Sequence, residues 1–92
     1  MKLTFRHKEY ELQAPDMLGW VDLGCDMDEF NEKVLQKRLT KHAAKKAIRA
    51  LGKTHLVGRG VPWSEVRRAS PRQIADALIA LGNAAKKMTR AD

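Results

Sequence analysis

The chain has 92 residues and a formal net charge of +7, with 43% hydrophobic residues and a mean hydropathy of -0.49. These values suit one small domain, and the chain contains no long apolar run and no signal-peptide core, so we expect a cytoplasmic protein without membrane contact. A single cysteine, Cys25, excludes an internal disulfide and agrees with a reducing compartment.

The charges are unevenly distributed along the chain. Residues 1–32 carry eight acidic and three basic residues, whereas residues 33–92 carry fifteen basic and three acidic ones. A basic surface of this size attracts polyanions, which include nucleic acids and acidic proteins. A solvated helix face explains the pattern equally well, because acids at the start of a helix and bases at its end complement the helix dipole.

The first 14 residues predict a β-hairpin. Residues 3–7 and 9–13 alternate between apolar and polar side chains, around a short polar turn at His7 and Lys8. An isolated hairpin is only marginally stable in water, so its apolar side chains are expected to pack on helices.

The stretch from Asp26 to Leu51 predicts one long basic helix, around which the rest of the chain is organised. Asp26 is a suitable N-cap, and Glu29, three residues later, closes a capping box. Gly52 follows the last apolar residue, where a helix most readily ends. A short helical turn, capped by Asp16 and ended by Gly24, is expected to precede this helix.

Two rows of residues at i+4 spacing lie on opposite faces of this predicted helix, since an offset of two residues is roughly 200° of rotation. The apolar row is Leu35, Leu39, Ala43, Ala47 and Leu51, and the basic row is Lys33, Lys37, Lys41, Lys45 and Arg49. We expect the first row to build the core while the second presents five positive charges.

Two further helices are predicted beyond a glycine-rich connection. Pro62 suits the first turn of a short helix over residues 62–69. Ser70, Pro71 and Gln73 supply a capping serine, a first-turn proline and a capping-box glutamine, which predicts a C-terminal helix over residues 71–88.

The predicted fold class is therefore α+β and mostly helical. Residues 1–92 are expected to form one small domain, in which the N-terminal β-hairpin packs on the long central helix and two C-terminal helices. The expected core is Phe5, Tyr10, Leu12, Trp20, Phe30, Leu35, Leu39, Leu51, Trp63, Val66, Ile74, Leu78 and Leu81.

No residues are spaced for catalysis, for a metal or for a cofactor. Gly52-Lys53-Thr54 resembles the end of a phosphate-binding P-loop, but Ala47 stands where that loop needs glycine and a helix precedes it. His7, His42 and His55 have no cysteine or carboxylate at ligand spacing. We therefore expect a protein that is not an enzyme.

The central helix carries two candidate binding surfaces. The partner-binding surface is Ala43, Ala44, Ala47 and Ile48, whose small side chains leave a shallow groove for another helix. The polyanion-binding surface is Lys33, Lys37, Arg38, Lys41, Lys45, Lys46 and Arg49, which are spaced to follow phosphates. Because the second surface is mostly lysine without interleaved aromatics, it predicts nucleic-acid binding without sequence specificity.

Four stretches occur in the order seen in a known family. They are a strand pair at residues 3–12, an acidic Leu-Gly turn at residues 22–28, a basic-glycine corner with Trp-x-Glu-Val at residues 59–66, and a Ser-Pro helix start at residues 70–71. In this order the chain resembles the small tail assembly chaperones of long-tailed bacteriophages. The resemblance implies a non-enzymatic protein that holds an aggregation-prone tail component, such as the tape measure, before assembly in the host cytoplasm.

Two function classes remain open on the sequence. The first is a tail-assembly-chaperone-like protein whose partner is another protein. The second is a basic protein that contacts nucleic-acid phosphates non-specifically through its lysine-rich helix. A second copy of the chain is a further candidate partner, since a symmetric homodimer would close the alanine-rich groove.

Overall fold

The computed structural model describes the backbone of residues 1–89 and the side chains of residues 1–86. Its elements in chain order are β1 (Lys2–Phe5), β2 (Lys8–Glu11), α1 (Met17–Leu35), α2 (Lys41–His55), α3 (Trp63–Arg68) and α4 (Pro71–Thr89), with one 3-10 turn at Val57–Arg59 before α3. The predicted fold class is confirmed: the chain is mostly helical and its N-terminal hairpin packs on helices. No helix within residues 1–89 is both long and apolar enough to cross a membrane.

The hairpin buries one of its faces against α4. Leu3 and Phe5 point into the core from β1, where they are 6% and 1% exposed. The turn residues are Arg6 and His7, one position earlier than predicted, and Arg6 has a left-handed φ of 57°. The side chain of Arg6 donates a 2.9 Å hydrogen bond to Glu65, so the turn is also joined to α3.

The predicted single helix over residues 26–51 is wrong, because two helices share that stretch. α1 ends at Leu35, and α2 begins only after Thr40, whose hydroxyl accepts a 3.1 Å hydrogen bond from the amide of Ala43. Thr40 is thus an N-cap in the middle of the predicted helix, and it satisfies one of the amides that an α-helix leaves without a partner.

A Schellman motif closes the C-terminal end of α1. The amide of Arg38 donates to the carbonyl of Lys33, and the amide of Lys37 donates to the carbonyl of Val34, both at 3.0 Å. This pattern requires a left-handed residue, and Lys37 has a φ of 56°. Glycine usually occupies this position, so a lysine there gives no sequence signal that the helix ends.

The start of α1 also differs from the prediction. The Asp16 carboxylate accepts a 2.7 Å hydrogen bond from the amide of Gly19, and the helix continues through Gly24. Leu23, Met27 and Phe30 follow at helical spacing and pack on the core. Their burial outweighs the roughly 1 kcal/mol that an interior glycine costs a helix, so Gly24 does not end it.

Asp26, the predicted N-cap, lies in the middle of α1. Its Oδ2 atom is 2.7 Å from Nε2 of His55, the last residue of α2, which is only 5% exposed. A buried polar side chain needs such a partner to offset its desolvation. The pair therefore connects the middle of α1 to the end of α2.

Gly52 lies inside α2 rather than after it. A β-carbon at this position would lie 2.8 Å from Cγ2 of Ile74 and 3.1 Å from Cγ1 of Val66, which is closer than side chains pack. The missing side chain thus allows α2 to approach both α3 and α4.

The core lies between the hairpin and the four helices. Its buried apolar residues are Leu3, Phe5, Leu12, Leu23, Ile48, Leu56, Val61, Val66, Ala69, Ile74, Ala77, Leu78, Leu81 and Ala85. Four predicted core residues lie outside the core. Leu35 is 82% exposed at the end of α1 and Trp63 is 36% exposed at the start of α3, while Trp20 and Leu39 are half-buried and do not belong to the core cluster. The Nζ atom of Lys53 lies 5.4 Å from the Trp63 ring centroid, so this indole forms a cation–π contact with a lysine instead of packing in the core.

Lys37→Gly is expected to raise the free energy of unfolding by about 1 kcal/mol, because a residue with a β-carbon pays roughly that much for a left-handed φ. Urea denaturation measures the change. Lys37→Ala keeps the β-carbon and serves as the control, with a change within about 0.5 kcal/mol. Glycine in the interior of a continuous helix would instead lower the stability by about 1 kcal/mol, so a decrease would contradict the break.

Candidate functional site

The structure does not bring the seven predicted polyanion-binding residues onto one helix. Lys33 belongs to the last turns of α1, Lys37 and Arg38 lie in the connection, and Lys41, Lys45, Lys46 and Arg49 belong to α2. The i+4 row that the sequence predicted is therefore interrupted, because its register is lost at the break between the two helices.

Two members of that set already have structural partners. The Nζ atom of Lys33 is 2.9 Å from Oε1 of Glu29, one turn earlier in α1. The guanidinium of Arg49 donates a 3.2 Å hydrogen bond to the carbonyl of Ala69, the C-cap of α3, and its Nε is buried without a partner among the described residues. Arg49 thus joins α2 to the corner between α3 and α4 and is not available as a surface charge.

The predicted partner-binding surface is only partly available. Ile48 is 2% exposed and belongs to the core, so it offers little surface for contact with a partner. It is the central residue of α2, which packs against α4, and it lay outside the apolar row that the sequence predicted for a longer helix. Ala43, Ala44 and Ala47 are half-buried beside it.

A groove of ≈ 300 Å³ remains open between α2 and the first turns of α4, and we call it the basic groove. Its lining residues are Phe30 from α1, Lys41, Ala44, Lys45 and Ile48 from α2, and Pro71, Arg72 and Ala75 from α4. The lining combines small or apolar side chains with three long cationic ones. Such a surface accepts apolar groups along its floor and anionic groups along its rim.

The cationic rim of the basic groove is not neutralised by the described residues. The side chains of Lys41, Lys45 and Arg72 form no ion pair or hydrogen bond with any of them. Residues 33–64 contain nine Lys and Arg and no Asp or Glu, and the next acid, Glu65, is paired with Arg6. The groove therefore keeps a positive potential that favours an anionic ligand.

A second cleft, of ≈ 230 Å³, lies between α1 and α2 on the other side of Ala47. Leu39 and Leu51 contribute to its floor, but Asp26, Glu29 and Lys33 also line it. Charged side chains of both signs line this cleft, and they already contact other protein groups. The cleft therefore selects for neither an anion nor a cation.

The sequence reasoning missed a third surface, on the solvent side of α1. Met17, Leu18, Val21, Asp22, Asp28 and Glu32 are all exposed there, and we call them the α1 face. It combines apolar and acidic residues, so its charge is opposite to that of the basic groove. The signal was present in the sequence: the cap at Asp16 followed by apolar residues at helical spacing predicts a helix that runs through Gly24.

The His, Cys, Asp and Glu side chains of the described residues do not gather into clusters of metal-ligand size. They include no group of three or more His, Cys, Asp or Glu side chains that would hold a metal ion. Cys25 is exposed on α1, and His55 is engaged with Asp26 and does not line the basic groove. The arrangement of the groove is suited to binding through shape, apolar contact and charge.

Arg49→Ala is expected to lower the free energy of unfolding by about 1–3 kcal/mol, because it leaves the Ala69 carbonyl without its donor and removes packed methylenes. Lys46→Ala, on the exposed side of the same helix, is the matched control and should change the stability by no more than about 0.5 kcal/mol. Thermal or urea unfolding compares the two. Equal effects would contradict a structural role for Arg49.

Comparison with known proteins assigns no family to the chain, since it matches no protein-family model, no curated protein and no solved structure. Its function is therefore inferred from the basic groove and the α1 face.

Proposed function

We propose that the protein is a non-enzymatic binding protein that holds an acidic, amphipathic helix of a partner protein in the basic groove. The observation that supports this proposal is the combination of an apolar floor with an unpaired cationic rim. A helix with one apolar stripe and flanking carboxylates satisfies both features at once, as in other recognition of helices by grooves.

The free energies expected for contacts in the groove favour reversible binding. An apolar side chain that is buried against Ala44 and Ala75 contributes about 1.5–3 kcal/mol. Each exposed ion pair with Lys41, Lys45 or Arg72 contributes about 0.2–1 kcal/mol and fixes the orientation of the bound helix. These gains must exceed the cost of association, which leaves a modest affinity. Such an affinity suits a protein that holds a partner and later releases it.

The resemblance to tail assembly chaperones supplies the partner class. We propose that the client is an unassembled, largely helical bacteriophage tail component, such as the tape measure, in the cytoplasm of the host. Its apolar segments would otherwise associate with one another, and the groove covers such a segment until assembly. The flanking charges discourage clients that lack carboxylates in the matching positions.

Co-expression with a neighbouring tail protein is expected to increase the soluble yield of that protein. Ala44→Glu should reduce the increase, because the new side chain fills the groove floor and neutralises its rim. Ala50→Glu makes the same substitution on an exposed side of α2 and is the matched control. If Ala50→Glu abolishes the increase and Ala44→Glu does not, the client lies outside the basic groove and the proposed site is wrong.

A second candidate function, non-specific nucleic-acid binding, is favoured by one separate observation. Residues 33–75 contain twelve Lys and Arg and a single acid, Glu65. Lys41, Lys45 and Lys46 are exposed on one helix, so they are available to contact phosphates. The apolar floor of the groove contributes nothing to phosphate binding, and we therefore rank this function second.

If nucleic acid is bound, its affinity should depend on salt. For about three phosphate contacts, a plot of the logarithm of the binding constant for duplex DNA against the logarithm of the salt concentration should have a slope of about −3. Lys41→Gln with Lys45→Gln should flatten this slope by about 2. Lys33→Gln is the control, because Lys33 is already paired with Glu29. The absence of detectable binding at low salt would eliminate this function.

A further inference from the structure

The α1 face has the chemistry that the basic groove requires of its occupant. We propose that the α1 face of a second copy of this chain docks in the basic groove, so that copies associate head to tail. This inference rests on the proposed groove and names a further occupant for it. A client and a neighbouring copy then compete for the same site.

The apolar part of the α1 face is strongly exposed. Met17, Leu18 and Val21 are 53%, 75% and 45% exposed, although monomeric proteins usually expose large apolar side chains singly rather than in a cluster. They follow one another within the first two turns of α1. Contact with a second copy would remove them from water, which is the main favourable contribution to such an association.

The charged part of the α1 face matches the rim of the groove in number and in spacing. Asp28 and Glu32 are separated by four residues on α1, as Lys41 and Lys45 are on α2, and four residues correspond to about 6 Å of helix rise. Both acids are exposed and neither forms an ion pair with a described residue, although the Glu32 carboxylate accepts a 3.1 Å hydrogen bond from Gln36. Two carboxylates on one helix are therefore able to face two ammonium groups on the other.

The charges select this pairing over a symmetric one. A groove-to-groove dimer would bring the rim cations Lys41 and Lys45 of two copies together, and a dimer through two α1 faces would bring Asp28 and Glu32 together. Like charges across an interface disfavour association, whereas groove-to-α1 contact places opposite charges opposite each other. The heterologous contact is thus the favoured one, in place of the symmetric homodimer considered from the sequence.

The two surfaces of one copy are usable at the same time. Phe30 lines the basic groove, and Val21 of the α1 face is nine residues earlier in the same helix. At 100° per residue these side chains point in roughly opposite directions. No residue belongs to both surfaces, so each copy is able to bind one neighbour through its groove and another through α1. Such contacts form open chains or closed rings rather than a single dimer.

Sedimentation velocity at low ionic strength tests the proposal with two complementary variants. Ala44→Arg fills the groove floor and leaves the α1 face unchanged, whereas Asp28→Lys reverses a charge on the α1 face and leaves the groove unchanged. Each variant alone should associate at least about tenfold more weakly than the unmodified chain, a factor that corresponds to 1.4 kcal/mol. An equimolar mixture should form a dimer and nothing larger, because one intact groove then meets one intact α1 face.

Controls separate this result from damage to the fold and from general charge effects. Circular dichroism should show that both variants keep their helix content, and Lys45→Glu, at an exposed position, provides a second groove variant. Lys46→Glu makes the same change in net charge away from the groove and should associate like the unmodified chain. Association of the unmodified chain should weaken as salt is added, since exposed ion pairs are screened.

Two outcomes would overturn the inference. The first is an unmodified chain that stays monomeric at all concentrations, and the second is a mixture of folded variants that stays monomeric. The proposed function is tested independently by soluble yield of the client. Asp28→Lys keeps an intact groove, so it should still hold the client after self-association is lost. If Asp28→Lys retains its effect on the client and the unmodified chain is monomeric, only the self-association is wrong.

Discussion

The close approach of α2 to α3 and α4 at Gly52 is the constraint on which the rest of the structure depends. Any side chain there would meet Ile74 and Val66, two of the most deeply buried residues of the core. The same packing of α2 on α4 places Ala44 and Lys45 beside Arg72, which creates the basic groove. The candidate site is therefore a consequence of the core, and a larger residue at position 52 would disturb both together.

Sequence reasoning succeeded where a local signal determined the structure, and it failed where long-range packing did. The alternation of the hairpin and the capping box before α4 are local signals, and both elements were predictable. Gly24 and Gly52 were misread as helix ends, although Gly24 is tolerated because of burial elsewhere on α1 and Gly52 is required by its neighbours. The break at Lys37 could not be predicted, because a lysine occupies the left-handed position where glycine usually marks the end of a helix.

The candidate site was predictable only in part, for the same reason. Ala44, Lys41 and Lys45 share one helix, so their spacing placed them together without any knowledge of the fold. Pro71 and Arg72 complete the groove from a helix some thirty residues later, and no periodicity connects the two segments. Charge alone also did not distinguish Arg49, which bonds a carbonyl group, from the exposed lysines around it.

The position of the hairpin has a consequence for biosynthesis. β1 packs on α4, and the turn at Arg6 is joined to Glu65, so residues 2–6 depend on residues that are synthesised much later. At about 5–20 residues per second, Phe5 waits several seconds before α4 is available to cover it. A two-stranded hairpin is marginal without such cover. Folding of this region is therefore expected to be a late, cooperative event in synthesis, with Phe5 exposed until then.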